Sequence, residues 1–239
     1  MKNLILTLSI VFITSIINAQ SVINQAIGTV NSLINGQGSN VSNEEVIKGL
    51  REALTIGTKN STDLASKLDG FNKNTLIKIP FPKDAKKMEQ DLRALGMGKK
   101  CDEFIVALNR AAERAAKDAS PIFINAITSM SLTDGISILK GSDNAATTYL
   151  QDKTTADLKI KFLPVVKAAL QEVQITKYWN PLFVRYNKIP TVKKVNPDLD
   201  DYVTNLSIEG LFKLIAQEEN KIRKDPKSRI TDLLKKVFG

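Results

Sequence analysis

Histidine is absent from this 239-residue chain, and cysteine occurs once. Without histidine there is no Ser-His-Asp or Cys-His nucleophile machinery. Zinc sites built from imidazole, or from several thiolates, are excluded as well. One cysteine cannot form an intramolecular disulfide, so the fold must hold without that staple. Cys101 is therefore expected to be a buried small hydrophobe rather than a reactive thiol. An enzyme built from this alphabet would have to use carboxylate, lysine, tyrosine or serine chemistry. Also missing is a compact basic-aromatic cluster to accompany the net charge of +9. The charge excess is mostly lysine and is spread along the chain. That spread describes a solvated surface that tolerates anionic lipid, polysaccharide or acidic partners, and it argues against nucleic acid.

Long apolar runs are missing too, except at the start. "MKNLILTLSIVFITSIINAQS" places Lys2 before the apolar stretch Leu4–Ile17 and the small residue Ala19 after it. This is the layout of a secretory signal peptide over residues 1–19. It is short for a membrane anchor, which needs about 20 apolar residues. No cysteine follows it to carry a lipid. The expectation is an exported, soluble, periplasmic or extracellular protein whose mature part begins near Gln20. Residues 20–42 read as a short helix or linker arm, because Val22, Ile23, Ala26, Val30, Leu33 and Ile34 recur at helical spacing until "NGQGSN" breaks the pattern. Residues 43–239 are ample for one domain with its own core.

In that domain apolar residues recur at three and four. Ser42 or Asn43 can cap a helix carrying Val46, Ile47, Leu50, Ala53 and Leu54, with Glu44 and Glu45 favouring its positive end. Gly57 is expected to permit a close helix contact. Gly96 offers a left-handed C-cap to the helix before it, and Pro121 starts the next helical turn or kinks this one. "GMGKK" is not a phosphate loop, since Arg93 stands where the first glycine is required. Thr133 or Asp134, and then Ser142 or Asp143, can cap the next two helices. The acidic cluster at Asp198 and Asp200 caps another; it is not a calcium loop, because Val203 replaces the required glycine. With no strand alternation and no internal repeat, the fold class is all-α, a single multi-helix, bundle-like domain. One stretch, about 69–83, is not helical. Asp69-Gly70 signals a turn, and Pro80 and Pro82 force extended geometry on Ile79 and Phe81. Alternation then places Ile77, Ile79 and Phe81 on one side. The segment reads as an ordered strap over the helices or as a short hairpin arm.

"NRAAERAAKDASPIF" raises the main functional question. Its alanines and apolar residues share one arc of a helix, with Arg110, Glu113, Arg114 and Lys117 opposite and Asn109 at the border. Glu113–Lys117 and Arg114–Asp118 have the spacing of ion pairs. Two readings stand: a polar face on a helix whose alanines admit a close neighbour, or a buried polar constellation of Asn109, Arg110 and Glu113 that forms a ligand site. Tyr178, Trp179, Phe183 and Tyr186 are either core or the lining of an apolar pocket. The C-terminal stretch with Ile230, Leu233, Leu234, Val237 and Phe238 on one face either docks on the core or lies on a membrane surface.

The stretches "GLREALTIGT", "DGFNKNTLIKIPFP", "LRALGMGK", "LNRAAERAA", "PIFINAITSM", "GSDNAATTYL", "LDDYVTNLSIEGLF", "IAQEENKIRKDP" and "TDLLKKVFG" together resemble the bacterial exported proteins grouped as domain of unknown function 4197. The resemblance spans about Ser42 to Gly239. It implies a signal peptide, an all-helical domain and an envelope location, and it implies no activity, cofactor or catalytic residue. Polar residues within these stretches that lack a capping role are Asn109, Arg110, Glu113, Thr147, Tyr149, Glu218, Glu219 and Arg223. With Trp179 they form the candidate ligand-binding set; no catalytic or metal-ligating residue is assigned. The leading expectation is a non-catalytic binding or interaction protein, for an apolar or anionic small ligand or an envelope partner. The second is a hydrolase or lyase acting on an envelope polymer through Glu113 with Glu218 or Glu219. The third is a structural or chaperone-like protein associating with membrane.

Overall fold

A computed structural model describes residues 42–193 and 198–232, with Lys235 and Val237. The expected signal peptide, the arm up to residue 41, and Leu233, Leu234 and Phe238 of the C-terminal stretch lie outside the described residues. The chain divides into two compact units, Met1–Glu45 and Val46–Gly239. In the first, Ser42 and Glu45 cap each other's backbone: Glu45 N–H donates to Ser42 Oγ at 3.2 Å, and Ser42 N–H to Glu45 Oε2 at 3.0 Å. This reciprocal pair satisfies two orphan donors where helix α1, Asn43–Ser66, begins.

The remaining helices follow in order: α2 Lys86–Leu92, α3 Gly98–Ala116, α4 Ser120–Thr128, α5 Leu132–Lys140, α6 Ala145–Glu172, α7 Ile175–Asn187 and α8 Leu199–Lys224. No strand occurs among the described residues, so the domain is all-α and the hairpin alternative for 69–83 is set aside. The punctuation follows local chemistry. Gly96 takes φ 80° between α2 and α3, the left-handed region open to glycine. Pro121 sits in the first turn of α4, where its missing N–H is harmless. Asp198 caps α8 by accepting from Asp201 N–H at 3.0 Å. At α5 the cap is Ser131, in a reciprocal pair with Asp134, rather than Thr133 or Asp134 alone. Helices α4 and α5 meet at 104°.

Helix α3 is the hub, packing on α6, α7 and α8, while α6 packs most extensively on α8. Its alanines Ala107, Ala111, Ala112, Ala115 and Ala116 are all buried, which lets neighbours approach from several directions. Of the arc expected to face water, Arg114 and Lys117 are exposed, but the part toward the strap is covered: Asn109 is 0% and Glu113 4% exposed. Among the described residues neither expected i,i+4 ion pair of this helix forms. Arg110 takes Glu113, and Arg114 reaches Glu172 on α6. The physical reason is the strap, residues 69–82, which lies along the side of α3 that a two-layer packing would leave to solvent.

At the end of the strap Ile77, Ile79 and Phe81 are buried and Leu76, Lys78 and Pro80 exposed, as alternation requires, but Pro82 is buried too, and residues 68–77 run as successive turns rather than extended. Phe71 is fully buried beside them. The strap is gripped from the other side by α8. A Cβ on Gly210 would stand 2.9 Å from Phe71 Cε1 and 3.2 Å from Ile77 Cβ, so only glycine admits this approach. Helix α8 also passes α1 closely, its Glu218 Cβ 3.4 Å from where a Cβ on Gly57 would lie. The end of the strap enters an aromatic cluster. Phe81 and Phe104 rings lie 5.0 Å apart, Phe104 and Trp179 5.0 Å, and Trp179 and Phe183 5.9 Å. Trp179 is thus a core residue that closes the strap against α7, and Cys101, fully buried, is a core residue too.

Candidate functional site

Asn109 and Glu113 stand one turn apart on α3 and face the strap. Asn109 binds the strap as a neighbouring β-strand would. Its Oδ1 accepts from Ile79 N–H at 2.8 Å, and its Nδ2 donates to Ile79 C=O at 2.8 Å and to Ile105 C=O at 2.8 Å. One side-chain amide therefore satisfies both backbone groups of a residue buried away from water, groups that are costly to leave unpaired. Glu113 does the same for the start of the strap. Its Oε1 accepts from Phe71 N–H at 3.1 Å and Asn72 N–H at 3.2 Å, and its Oε2 from Arg110 Nη1 at 2.6 Å. Arg110 also spans to Asp69 Oδ1 at 2.6 Å. At the far end Tyr202 donates its phenolic O–H to Pro80 C=O at 3.2 Å, and burial pushes the Tyr202 pKa up to about 12.

Asp69 gathers Lys73, Asn72 and Arg110, in that order of effect, and they hold its carboxyl well below the ordinary 3.8. A carboxyl whose folded pKa is depressed adds stability above its unfolded pKa, and that contribution is lost as pH falls toward the folded value. The stability difference between wild type and Asp69→Asn should therefore be constant above about pH 5 and shrink as pH drops below about 4. Urea unfolding across that range measures it; a difference that grows in acid would refute the ion-pair role.

A second cluster repeats this design. Glu219 on α8 accepts from Ala146 N–H at 3.0 Å, Thr147 N–H at 2.8 Å and Thr147 Oγ1 at 2.7 Å. Arg223, one turn on, binds Glu219 Oε1 at 2.9 Å and donates to Ile138 C=O at 2.9 Å. The first turn of α6 is thus capped by a residue of α8, not by Ser142 or Asp143. A carboxylate at that place meets both orphan N–H groups and the positive helix end. Glu218 points elsewhere, accepting from Asn60 of α1 at 3.0 Å and Lys221 at 2.5 Å. Glu113 and Glu219 share no partner, so the structure brings no two of the three singled-out carboxylates into one acid–base pair.

Three depressions adjoin these elements. A cavity of about 20 Å³ lies against Glu219 and Arg223, lined otherwise by apolar residues such as Leu50 and Ile215. A groove of about 530 Å³ runs between α4, α5 and α6, and another of about 500 Å³ follows the seam of α6 and α8. Trp179 and Arg110 line none of them. Tyr149 lines the first groove and Thr147 the second.

Residues 40–239 match the family model described as protein of unknown function (DUF4197). The chain belongs to this family. No curated protein and no solved structure matches it.

Across this DUF4197 chain the sequence-selected residues divide by task. Asn109, Arg110 and Glu113 hold the strap. Thr147, Glu219 and Arg223 join α6 to α8, and Glu218 joins α8 to α1. Trp179 fills the core, Tyr149 lines the groove between α4, α5 and α6, and Thr147 also lines the one along α6 and α8. Asn125, Lys153, Asp157 and Lys161 were not singled out in the sequence and Asp134 only as a cap, yet all line the same groove as Tyr149. Their signal was weak, because exposed lysines and aspartates four apart are ordinary on any helix. Among the described residues no three His, Cys, Asp or Glu side chains form a metal-binding group, and no single helix is long and apolar enough to cross a membrane.

Proposed function

We propose that this DUF4197 chain is an exported binding protein that carries out no catalysis of its own. The observation behind this reading is where the free volume lies. Every carboxylate oxygen of Glu113 and Glu219 already accepts a hydrogen bond from the chain itself. The cavity beside Glu219, about 20 Å³, has room for about one water. The two grooves along α6, by contrast, fall within the few hundred Å³ of ordinary ligand sites. The N-terminal layout of Lys2, Leu4–Ile17 and Ala19 supports export.

Native mass spectrometry of residues 20–239, recovered gently from the envelope fraction, tests the reading. The expected result is a reproducible added mass that denaturation releases. A bare mass, together with cleavage of an envelope polymer that Glu113→Gln or Glu219→Gln abolishes, would replace it with the carboxylate enzyme.

A further inference from the structure

We infer that the groove between α4, α5 and α6 is a peptide-binding site, taking a short extended peptide with an apolar centre and charged ends; this rests on the binding reading above and names its ligand class. Three observations carry it. The first is charge. Some lysine–aspartate pairs of i,i+4 spacing close within the chain, as Lys59–Asp63 and Lys87–Asp91 do at 2.6 Å, and others, such as Asp63–Lys67, stay open among the described residues. Lys153, Asp157 and Lys161 have the same spacing on α6, yet form no ion pair among the described residues. All three line the groove, with Asp134 of α5, whose Oδ2 already accepts from Ser131 N–H and Oγ and whose Oδ1 makes no hydrogen bond among the described residues. Lys153 lies 5.8 Å over the Tyr149 ring. The groove therefore offers two cations and two anions, while the chain as a whole carries +9. A purely anionic ligand would find no local excess of positive charge here, whereas a ligand with both signs is matched.

The second observation is the apolar share. Ile122, Ala126 and Ile160 line the same groove, and Ile160 is 69% exposed. That is enough for one apolar side chain and little for an acyl chain.

The third is Asn125 of α4. The hydroxyls of Ser129 and Thr154, also in the groove, already donate to their own helices, to Asn125 C=O and Leu150 C=O. The Asn125 side-chain amide makes no hydrogen bond among the described residues. It is a helical asparagine facing open space, the group with which Asn109 grips the N–H and C=O of Ile79. An extended peptide main chain in the groove would meet the same pair of bonds at Asn125. Lys153 and Lys161 would take carboxylates, Asp134 and Asp157 ammonium or guanidinium groups, and Ile160 the central side chain.

The test uses the ¹⁵N-labelled mature chain and a pool of tripeptides with leucine at the centre and Lys, Arg, Asp or Glu at each end. Saturable amide shifts are expected at Asn125, Tyr149, Lys153, Asp157, Ile160 and Lys161. Asn125→Ala, an exposed change, should weaken binding about tenfold, the scale of two lost hydrogen bonds. No saturable shift with any peptide, equal binding by the Asn125→Ala chain, or the same shifts produced by dodecylphosphocholine would each overturn the proposal. A retained mass in the native spectrum with no peptide shift would leave the binding reading standing and sink only the peptide site. Cleavage of the peptides would keep the groove and sink the non-catalytic reading.

Discussion

Glu219→Ala lowers the unfolding free energy by about 3–5 kcal/mol, the cost of stranding one member of a buried ion pair. Arg223, with only 13% of its side chain exposed, loses its carboxylate, and the N–H groups of Ala146 and Thr147 lose their acceptor. A water entering the space could replace only some of these bonds, because the cavity beside them is largely apolar. Glu219→Gln should recover part of the loss, since an amide oxygen still accepts from one of the two N–H groups. The double change Glu219→Ala with Arg223→Met should be more stable than Glu219→Ala alone, because no charge is then left unpaired. Urea unfolding followed by circular dichroism gives all three values. A loss below about 1 kcal/mol for Glu219→Ala would place the pair among surface bridges, which contribute little.

Asn109→Leu has the second large effect, about 3 kcal/mol, although it keeps the volume of the side chain. Ile79 is fully buried, and its N–H and C=O are left without a partner, each at a cost of roughly 1–3 kcal/mol. The loss is local as well as global. Hydrogen exchange at Ile77, Ile79 and Phe81 should accelerate relative to α6 and α8, because the strap opens before the helices separate. Trp179, the one tryptophan, gives a second readout, since Phe81 lies 6.0 Å from its ring. Asn109→Asp should also fail, because a carboxylate cannot donate to Ile79 C=O. Unchanged protection of the strap amides in Asn109→Leu would mean that packing alone holds the segment.

The helices were legible because their information is local. Apolar spacing, Gly96, Pro121 and Asp198 each act within a turn or two. Only the end of the strap was legible for the same reason, since Pro80 and alternation set the faces of Ile77 to Phe81; beyond the turn at Asp69-Gly70, the run of turns to Ile77 and the burial of Pro82 were not. Nor was the burial of Asn109 and Glu113. A helical wheel orders side chains relative to the helix's own apolar arc, and it carries no sign that a segment thirty residues upstream will cover the opposite arc. The cap on α6 was hidden for a like reason: Ser142 and Asp143 are the local choices, while Glu219 arrives from 73 residues away. In the groove the difficulty was degeneracy. Lys153, Asp157 and Lys161 have the spacing of an ordinary surface ladder, and only the fold shows them unpaired beside Asn125 and Ile160.

The grip of α8 on the strap also sets an order in time. Tyr202 meets Pro80 122 residues after the ribosome has made it, and Gly210 meets Phe71 later still. Until α8 emerges, Phe71, Ile77, Ile79 and Phe81 can rest on α3 but lack their second wall. The nascent chain thus carries a sticky apolar stretch through most of its synthesis. Such a segment is the natural place for a holding chaperone to bind, and a chain cut short before Leu199 would aggregate through it.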